Sequence, residues 1–326
     1  MVTDKKIGVV IPAYNEENLI AKVIATIPRF VDTIIVVDDK SRDNTLAVAK
    51  MHQQQLKDKL VIVEHRRNQG VGAAIISGYK KAIELGLDVV TVMAGDAQMD
   101  PADLESIVLP VAQGKADYAK GNRLFTGKAW QIIPKHRYLG NAFLSLLTKI
   151  ASGYWHVSDS QSGYTAINLA SLRKLDLESV YKRYGFPNDL LVKLNVSNCR
   201  VLDVPVKPVY NIGEQSKIRL WKVIPTLSVL LIRDFFWRLF QKYVIRDFHP
   251  LIFFYLLGIV LLPLGSGLGL VILYTNTPLG GAAQALPIGW IILCALLVIS
   301  GMQSLFFAMW FDMDYNRHLA ITDERK

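Results

Sequence analysis

The chain has 326 residues, enough for one large or two ordinary domains, and carries 37 Lys and Arg against 28 Asp and Glu, a formal net charge of +9. A hydrophobic fraction of 51% and a positive mean hydropathy are high for a wholly soluble protein, and the excess is concentrated toward the C-terminal end. Cys199 and Cys294 make neither a disulfide framework nor a metal-ligand pattern, and the basic residues cluster beside the apolar C-terminal stretches rather than in an aromatic-interleaved motif, so no nucleic-acid partner is expected.

In chain order, Met1 to Lys6 are polar and lead straight into a strand, so no secretory signal is expected. Ile7 to Pro12 predicts a short buried strand, which Pro12-Ala13-Tyr14-Asn15-Glu16-Glu17 turns into a helix running to about Ile27. A second strand, Thr33 to Val37, closes with Asp38-Asp39; Lys40 to Thr45 is a turn rich in helix-capping residues, and a helix follows to about Gln55. Leu60 to Glu64 is the third strand, Arg67 to Ala74 opens a helix to Leu85, and Val89 to Met93 is the fourth strand. Strand and helix alternating at this spacing predict an α/β fold with a parallel sheet wrapped by helices.

The fourth strand ends in Ala94-Gly95-Asp96-Ala97-Gln98-Met99-Asp100-Pro101. Ligands of open α/β sheets bind just beyond the carboxyl ends of the strands, which is where Asp96 and Gln98 would hold a metal and a phosphorylated substrate. Asp100-Pro101 suits a cap for the helix from Ala102 to Val108. At the second strand's end, one carboxylate of the Asp38-Asp39 pair would accept hydrogen bonds from a ribose or base, with capping as the competing reading. The Gly70-Val71-Gly72 turn has two readings as well, close approach to a phosphate or tight helix packing.

Leu251 to Tyr274 and Pro287 to Phe311 are uncharged apolar stretches, each longer than the about 20 residues of helix that cross a bilayer core. Lys and Arg crowd the segment before the first stretch and follow the second, while Thr275 to Leu286 has neither. The positive-inside bias therefore predicts an integral protein of the cytoplasmic (inner) membrane, with both termini and the large N-terminal part in the cytoplasm. From Ile218 to Phe248, aromatic and aliphatic residues alternate with basic ones, as in amphipathic helices lying in the headgroup layer of a lipid bilayer.

Val10 to Glu16, Val37 to Thr45, Asn68 to Gly72 and Gly95 to Pro101, in that order and spacing, resemble the motifs of family 2 glycosyltransferases, specifically the dolichyl- or polyprenyl-phosphate sugar synthase branch. The resemblance covers about residues 5 to 220 and implies a GT-A (Rossmann-like) nucleotide-sugar-binding domain over residues 1–217. Amphipathic interface helices over 218–249 and a transmembrane hairpin over 250–326, ending in a short cytoplasmic tail, would follow. The implied reaction is inverting, metal-dependent transfer of a hexose from a nucleotide diphosphate sugar, on UDP or GDP, to a polyprenyl phosphate at the cytoplasmic face.

By the same resemblance Pro12, Tyr14, Glu16, Asp38, Asp39 and Gly70 would line the donor site, and Asp96 and Gln98 would hold Mg2+ or Mn2+ with diphosphate oxygens and waters. The family's central motif usually reads Asp-x-Asp-x-Gln; here Ala94 stands at its first Asp. Arg123, Arg137 and Asn141 would bind the acceptor phosphate, the last two sharing a helix face. Asp159 would contact the sugar or order its loop, Asp189 would face the donor sugar from a helix, and Lys217, in a Gly-x-Ser-Lys-like loop, would neutralise phosphate charge. Thr165 and Asn211 replace arginines common in the branch. Two spans shelter a polar headgroup poorly, which leaves room for a homo-oligomer. A processive polysaccharide synthase shares these motifs, but this chain lacks the Gln-x-x-Arg-Trp motif such enzymes carry. A non-catalytic scaffold on the same fold is the reading that Ala94 keeps open.

Overall fold

The computed structural model describes residues 4–124, 135–207, 209, 220–275 and 287–321, with the side chains of 135–137 and 220–222 outside the description. Two compact units divide the chain: Met1–Arg238 together with His318–Lys326, and Leu239–Arg317.

In the first unit the apolar runs form the strands expected of them. β1 (Ile7–Ala13) is buried at every residue and pairs in parallel with β2 (Thr33–Asp38) on one side and β4 (Val89–Val92) on the other; β3 (Leu60–Glu64) extends the parallel set beyond β2. Because strand side chains alternate between faces, each central strand feeds two cores. Val10, Ile35, Val37, Val90 and Val92 pack on one face with α3 (Val71–Glu84), and Ile11, Ile34, Val36 and Val89 pack on the other with α1 (Ile20–Thr26) and α4 (Leu104–Ala112). α2 (Thr45–Leu56) also lies on this second face.

The sheet is mixed, not wholly parallel as the strand-helix alternation predicts. Beyond β4 comes β6 (Thr165–Asn168), antiparallel to both β4 and β5 (Tyr118–Asn122), and then β7 (Val201–Pro205), parallel to β5. The order is β3-β2-β1-β4-β6-β5-β7-β8, where β8 (Ala320–Ile321) comes from the C-terminal end of the chain. Four-residue β6 and two-residue β8 are too short to show a period of two, so periodicity does not find them. Two antiparallel steps restore direction: β5 and β7 run with β4, and their carboxyl ends lie on the edge where β1, β2 and β4 end.

α5 (Lys135–Ser152), α6 (Leu169–Lys174), α7 (Phe186–Val196) and α8 (Leu220–Phe240) complete this unit, the last helix entering the second unit at Leu239. α5 and α8 pack together through Leu144, Leu147 and Ala151 against Leu227, Leu230 and Leu231.

In the second unit, a π-helical turn (Gln241–Arg246) precedes α9 (Leu251–Thr275), and α10 (Ile288–Tyr315) pairs with it. Both are long and apolar enough to cross a membrane. Gly258, Gly265 and Gly301 sit where the helices meet: a Cβ at Gly301 would lie 2.8 Å from Leu262 N, so glycine permits the close approach. A buried polar cluster of Lys242, Tyr243, Asp312 and Asn316 closes one end, with Lys242 Nζ donating to Asn316 Oδ1 at 2.8 Å and Tyr243 donating to Asp312.

Candidate active site

The common carboxyl edge of β1, β2, β3, β4 and β5, with the N-terminal end of antiparallel β6, collects the loops that carry Tyr14 to Glu16, Asp38-Asp39, Gly70, Asp96 to Gln98, Arg123 and Asp159. Topology alone gathers these sequence-distant residues.

The first two loops interlock. Asn15 N donates to Ser41 Oγ at 3.0 Å, Arg42 N to Asn15 Oδ1 at 2.8 Å and Glu16 N to Thr45 Oγ1 at 2.8 Å. Asn15 and Lys40 both adopt left-handed backbone, with φ of 56° and 61°, which lets each chain reverse tightly; asparagine tolerates this region better than most residues. Pro12 belongs to buried β1, and its carbonyl accepts from Gly95 N, tying the Asp96 loop to the first.

The structure separates the two adjacent aspartates. Asp39 accepts from His65 Nδ1 at 2.7 Å, Gln69 N at 2.8 Å and Gly70 N at 2.8 Å, so its carboxylate braces the loop after β3. His65 passes the brace on through Nε2 to Ser77 Oγ at 2.8 Å. Asp38, by contrast, accepts from a local donor, Ser41 N, at 3.3 and 3.2 Å to its two oxygens. Sequence reasoning missed His65, because a single histidine in a short loop has no motif. Gly70 has φ of 99°, and a Cβ there would lie 2.6 Å from Lys182 O; at Gly72 one would lie 2.6 Å from Tyr181 O. A Cβ at either position would collide with the backbone at 181–182, so close packing there needs glycine at both.

At the end of β4, Asp96 Oδ1 accepts from Gln98 N at 3.1 Å across Ala97, whose φ is 57°. Asp100 accepts from Ala102 N at 2.9 Å and caps the short helix at Pro101, as expected. The Ala94 side chain supplies no oxygen, and among the described residues no group of three His, Cys, Asp or Glu could hold a metal. One carboxylate and one amide fit a hard cation of the Mg2+ kind, which binds through one or two protein oxygens and completes its shell with substrate phosphates and water.

Arg123 and Asp159, both candidates for direct chemistry, are partners of each other. Arg123 Nε donates to Asp159 Oδ2 at 2.7 Å, its Nη2 to Oδ1 at 3.1 Å and its backbone N to Oδ2 at 3.1 Å. Asp159 is fully buried, whereas 24% of the Arg123 side chain is exposed, so the pair presents the arginine, not the carboxylate. Burial pushes Asp159 up, but the charge and hydrogen bonds of Arg123 and the charge of Lys120 outweigh it and hold the carboxyl below its usual range.

Behind the pair lie three groups that the sequence does not single out. Lys120 is buried on β5 and donates to the carbonyl of Ser162; burial pulls its ammonium down to about 8 against the charge of Asp159. Asp203 accepts from Asn122 Nδ2 at 2.6 Å and Ser158 N at 3.2 Å, and Asn122 Oδ1 accepts from Leu124 N at 2.9 Å, fixing the chain where β5 ends. Burial, aided by the charge of Asp159, pushes Asp203 up to about 6.

One expected residue stands apart. Asp189 is fully buried on α7, where its carboxylate accepts from Tyr181 N at 2.7 Å and lies beside Asp234 of α8, a structural seam in place of an exposed face. Asn141 lies on α5 and is partly buried, while the Arg137 side chain is outside the description. Lys217 lies outside the described residues.

A mixed α/β sheet whose loops gather at one edge defines a class, and the chain belongs to it: residues 8–176 match the model of glycosyl transferase family 2. Its fold is GT-A. Among curated proteins it is 34% identical over 221 residues to a UDP-N-acetylglucosamine–dolichyl-phosphate N-acetylglucosaminyltransferase of Methanococcus voltae, covering 64% of this chain and 88% of that protein. It is 30% identical over 203 residues to a polyprenol monophosphomannose synthase of Mycolicibacterium smegmatis, covering 61% and 75%. Among solved structures, glucosyl-3-phosphoglycerate synthase from Mycobacterium tuberculosis, in complex with Mn2+, UDP and glucosyl-3-phosphoglycerate, superposes with a TM-score of 0.54 at 20% identity, over 72% of this chain and 80% of that one.

Proposed function

We infer that this protein transfers a hexose from a UDP- or GDP-sugar to a polyprenyl phosphate at the cytoplasmic face of a membrane, with inversion at the anomeric carbon. The observation that carries the reading is the gathering of Asp38, Asp96, Gln98 and Arg123 on one sheet edge, in a chain that also has two helices apolar enough to span a bilayer. The names of its relatives, which act on dolichyl or polyprenol lipids, support the same acceptor class.

A phosphate oxygen is anionic near neutral pH and needs no strong general base, so positioning and charge stabilisation remain for the protein. Arg123 would aim the acceptor phosphate, held in one rotamer by buried Asp159, with Arg137 and Asn141 on the same acceptor. Asp159 is thereby a positioning residue rather than one that touches the sugar. Asp38 would receive the donor's ribose or base, since Asp39 is committed to the loop at Gly70. Asp96 and Gln98 would hold a divalent metal, which when bound would neutralise charge on the leaving diphosphate. Attack from the side opposite the leaving group gives inversion.

Membrane placement follows the same reading. The chain leaves the first unit once, at Leu239, and rejoins it at His318, so two crossings return it to the side from which it left. The absence of Lys and Arg in Thr275 to Leu286 favours the cytoplasm for that side.

The test is to incubate the full chain in detergent with undecaprenyl phosphate, Mg2+ or Mn2+ and a panel of UDP- and GDP-sugars, and to look for glycolipid by mass spectrometry. One donor should give a sugar-phosphate lipid. Folded protein with no product from any donor would point to the non-catalytic scaffold.

A further inference from the structure

A buried ammonium gives up its hydration, so a lysine persists in a protein interior where its charge is used. Lys120 is such a residue. It stands on β5 three positions before Arg123, is wholly buried and donates to the carbonyl of Ser162. In the sheet it lies in register with Thr165 of β6 on one side and Asp203 of β7 on the other. Three charged groups act on it: Arg123 at the end of its own strand, Asp159 from the loop that leads to Ser162, and Asp203. Asp159 already takes up the charge of Arg123 through two side-chain hydrogen bonds, at 2.7 and 3.1 Å. Asp203 is a second carboxylate at the same corner, and Lys120 offsets it.

We propose that Lys120 is a positioning residue for the acceptor phosphate, its buried charge keeping the corner around Arg123 from becoming net negative. The four groups balance, two cations against two carboxylates. Without Lys120, Arg123 would meet an incoming phosphate with two carboxylates behind it, and in a low-dielectric interior that excess repels an anion. Lys120 is fully buried and acts through Arg123 rather than on the substrate. Burial, helped by the charge of Arg123, pulls its ammonium down to about 8 against Asp159 and Asp203. The charge is thus present below about pH 8 and lost above it, while the neutral amine still carries N–H groups for the Ser162 carbonyl. Rising pH removes the charge and spares the hydrogen bond.

The inference rests on the proposed transfer to polyprenyl phosphate, and the experiment separates the two. Initial rates of the full chain in detergent are measured with undecaprenyl phosphate and the nucleotide sugar that gives product, for the wild type and for Lys120→Met, which keeps the length and lacks the charge. The range runs from about pH 7 to 9.5, where a phosphate monoester, with its second pKa of about 6, is already fully charged. In the wild type, kcat/KM for undecaprenyl phosphate should fall by about tenfold as pH rises through about 8, the scale of one unit charge acting inside a protein. Lys120→Met should be low already at about pH 7 and lack that limb, with KM for the nucleotide sugar as in the wild type. Replacing a buried charge by an apolar chain of similar size is compatible with folding. Lys120→Gln, neutral but still a donor, should match Lys120→Met and carries the test where the latter does not fold. A wild type without the limb, a limb that survives in Lys120→Met, or wild-type rates in Lys120→Gln overturns the proposal and leaves the transfer standing. No product from the folded wild type with any donor overturns both.

Discussion

At the residue scale, the carboxylates of the candidate site each have a different task. Asp39 and Asp159 are spent inside the protein, one bracing the loop at Gly70 and one holding Arg123, while Asp96, half-buried at a strand end, accepts from the backbone N–H of Gln98. The sequence makes all three look alike, because a carboxylate at a strand's end has the same letters whether its hydrogen bonds go to backbone or to ligand. Only the partners separate them. Asp203, absent from any motif, is the titrating member. Its folded value of about 6 lies above the ordinary 3.8, so the native state keeps the proton that the unfolded chain has lost; its contribution to stability is present below about pH 4 and is lost as pH rises through about 6. Thermal unfolding of the wild type should therefore fall between about pH 5 and 7.5 by more than that of Asp203→Asn, which lacks this titration. Equal pH slopes for the two proteins would contradict the assignment.

At the scale of elements, most of the fold was legible. Strands β1 to β4 and their helices follow the apolar runs closely, since each run is buried on both faces of a parallel sheet and announces itself by composition. Antiparallel β6 was not legible, because four residues flanked by a polar loop carry no period. The seam between α7 and α8 was not legible either. There Asp189 and Asp234 are both buried side by side, each with one oxygen lacking a hydrogen-bond donor, and Lys193 Nζ is 3.9 Å from that of Asp189, so a proton between the two carboxyls would satisfy both. Burial, with the charge of Asp189 next in size, pushes Asp234 up to about 7, against Arg233. The folded value is raised, so the seam's stabilising contribution is lost as pH rises through about 7. Hydrogen exchange of α8 amides, corrected for the intrinsic rate, should accelerate between about pH 6 and 8 in the wild type and stay flat in Asp234→Asn.

At the scale of the whole molecule, the boundaries of the units differ from those the sequence suggests. α8 belongs with the catalytic unit as far as Arg238, and the C-terminal end is more than a tail: β8 pairs with β7, and Leu319 is buried in the core that also holds Val201. Hydropathy marks the two apolar helices and says nothing of a two-residue strand beyond them. Removing the Leu319 side chain should destabilise the catalytic unit by about 3 kcal/mol, the usual cost of emptying a buried leucine site. Thermal unfolding of Leu319→Ala, with hydrogen exchange of β7 as the local readout, checks this; unchanged protection of β7 would refute it.

Asp96 is the remaining acid of a motif that has Ala94 in place of its first, and the proposed transfer depends on it most directly. The most direct measurement is transfer of radiolabelled sugar from a nucleotide diphosphate donor into polyprenyl phosphate, with the wild type and Asp96→Ala compared at equal folded concentration. Label should enter the lipid phase with the wild type and fall by at least about 100-fold with the variant, the scale of loss when transition-state charge goes unstabilised. Undiminished transfer by Asp96→Ala, or none by the folded wild type with any donor, would contradict the account.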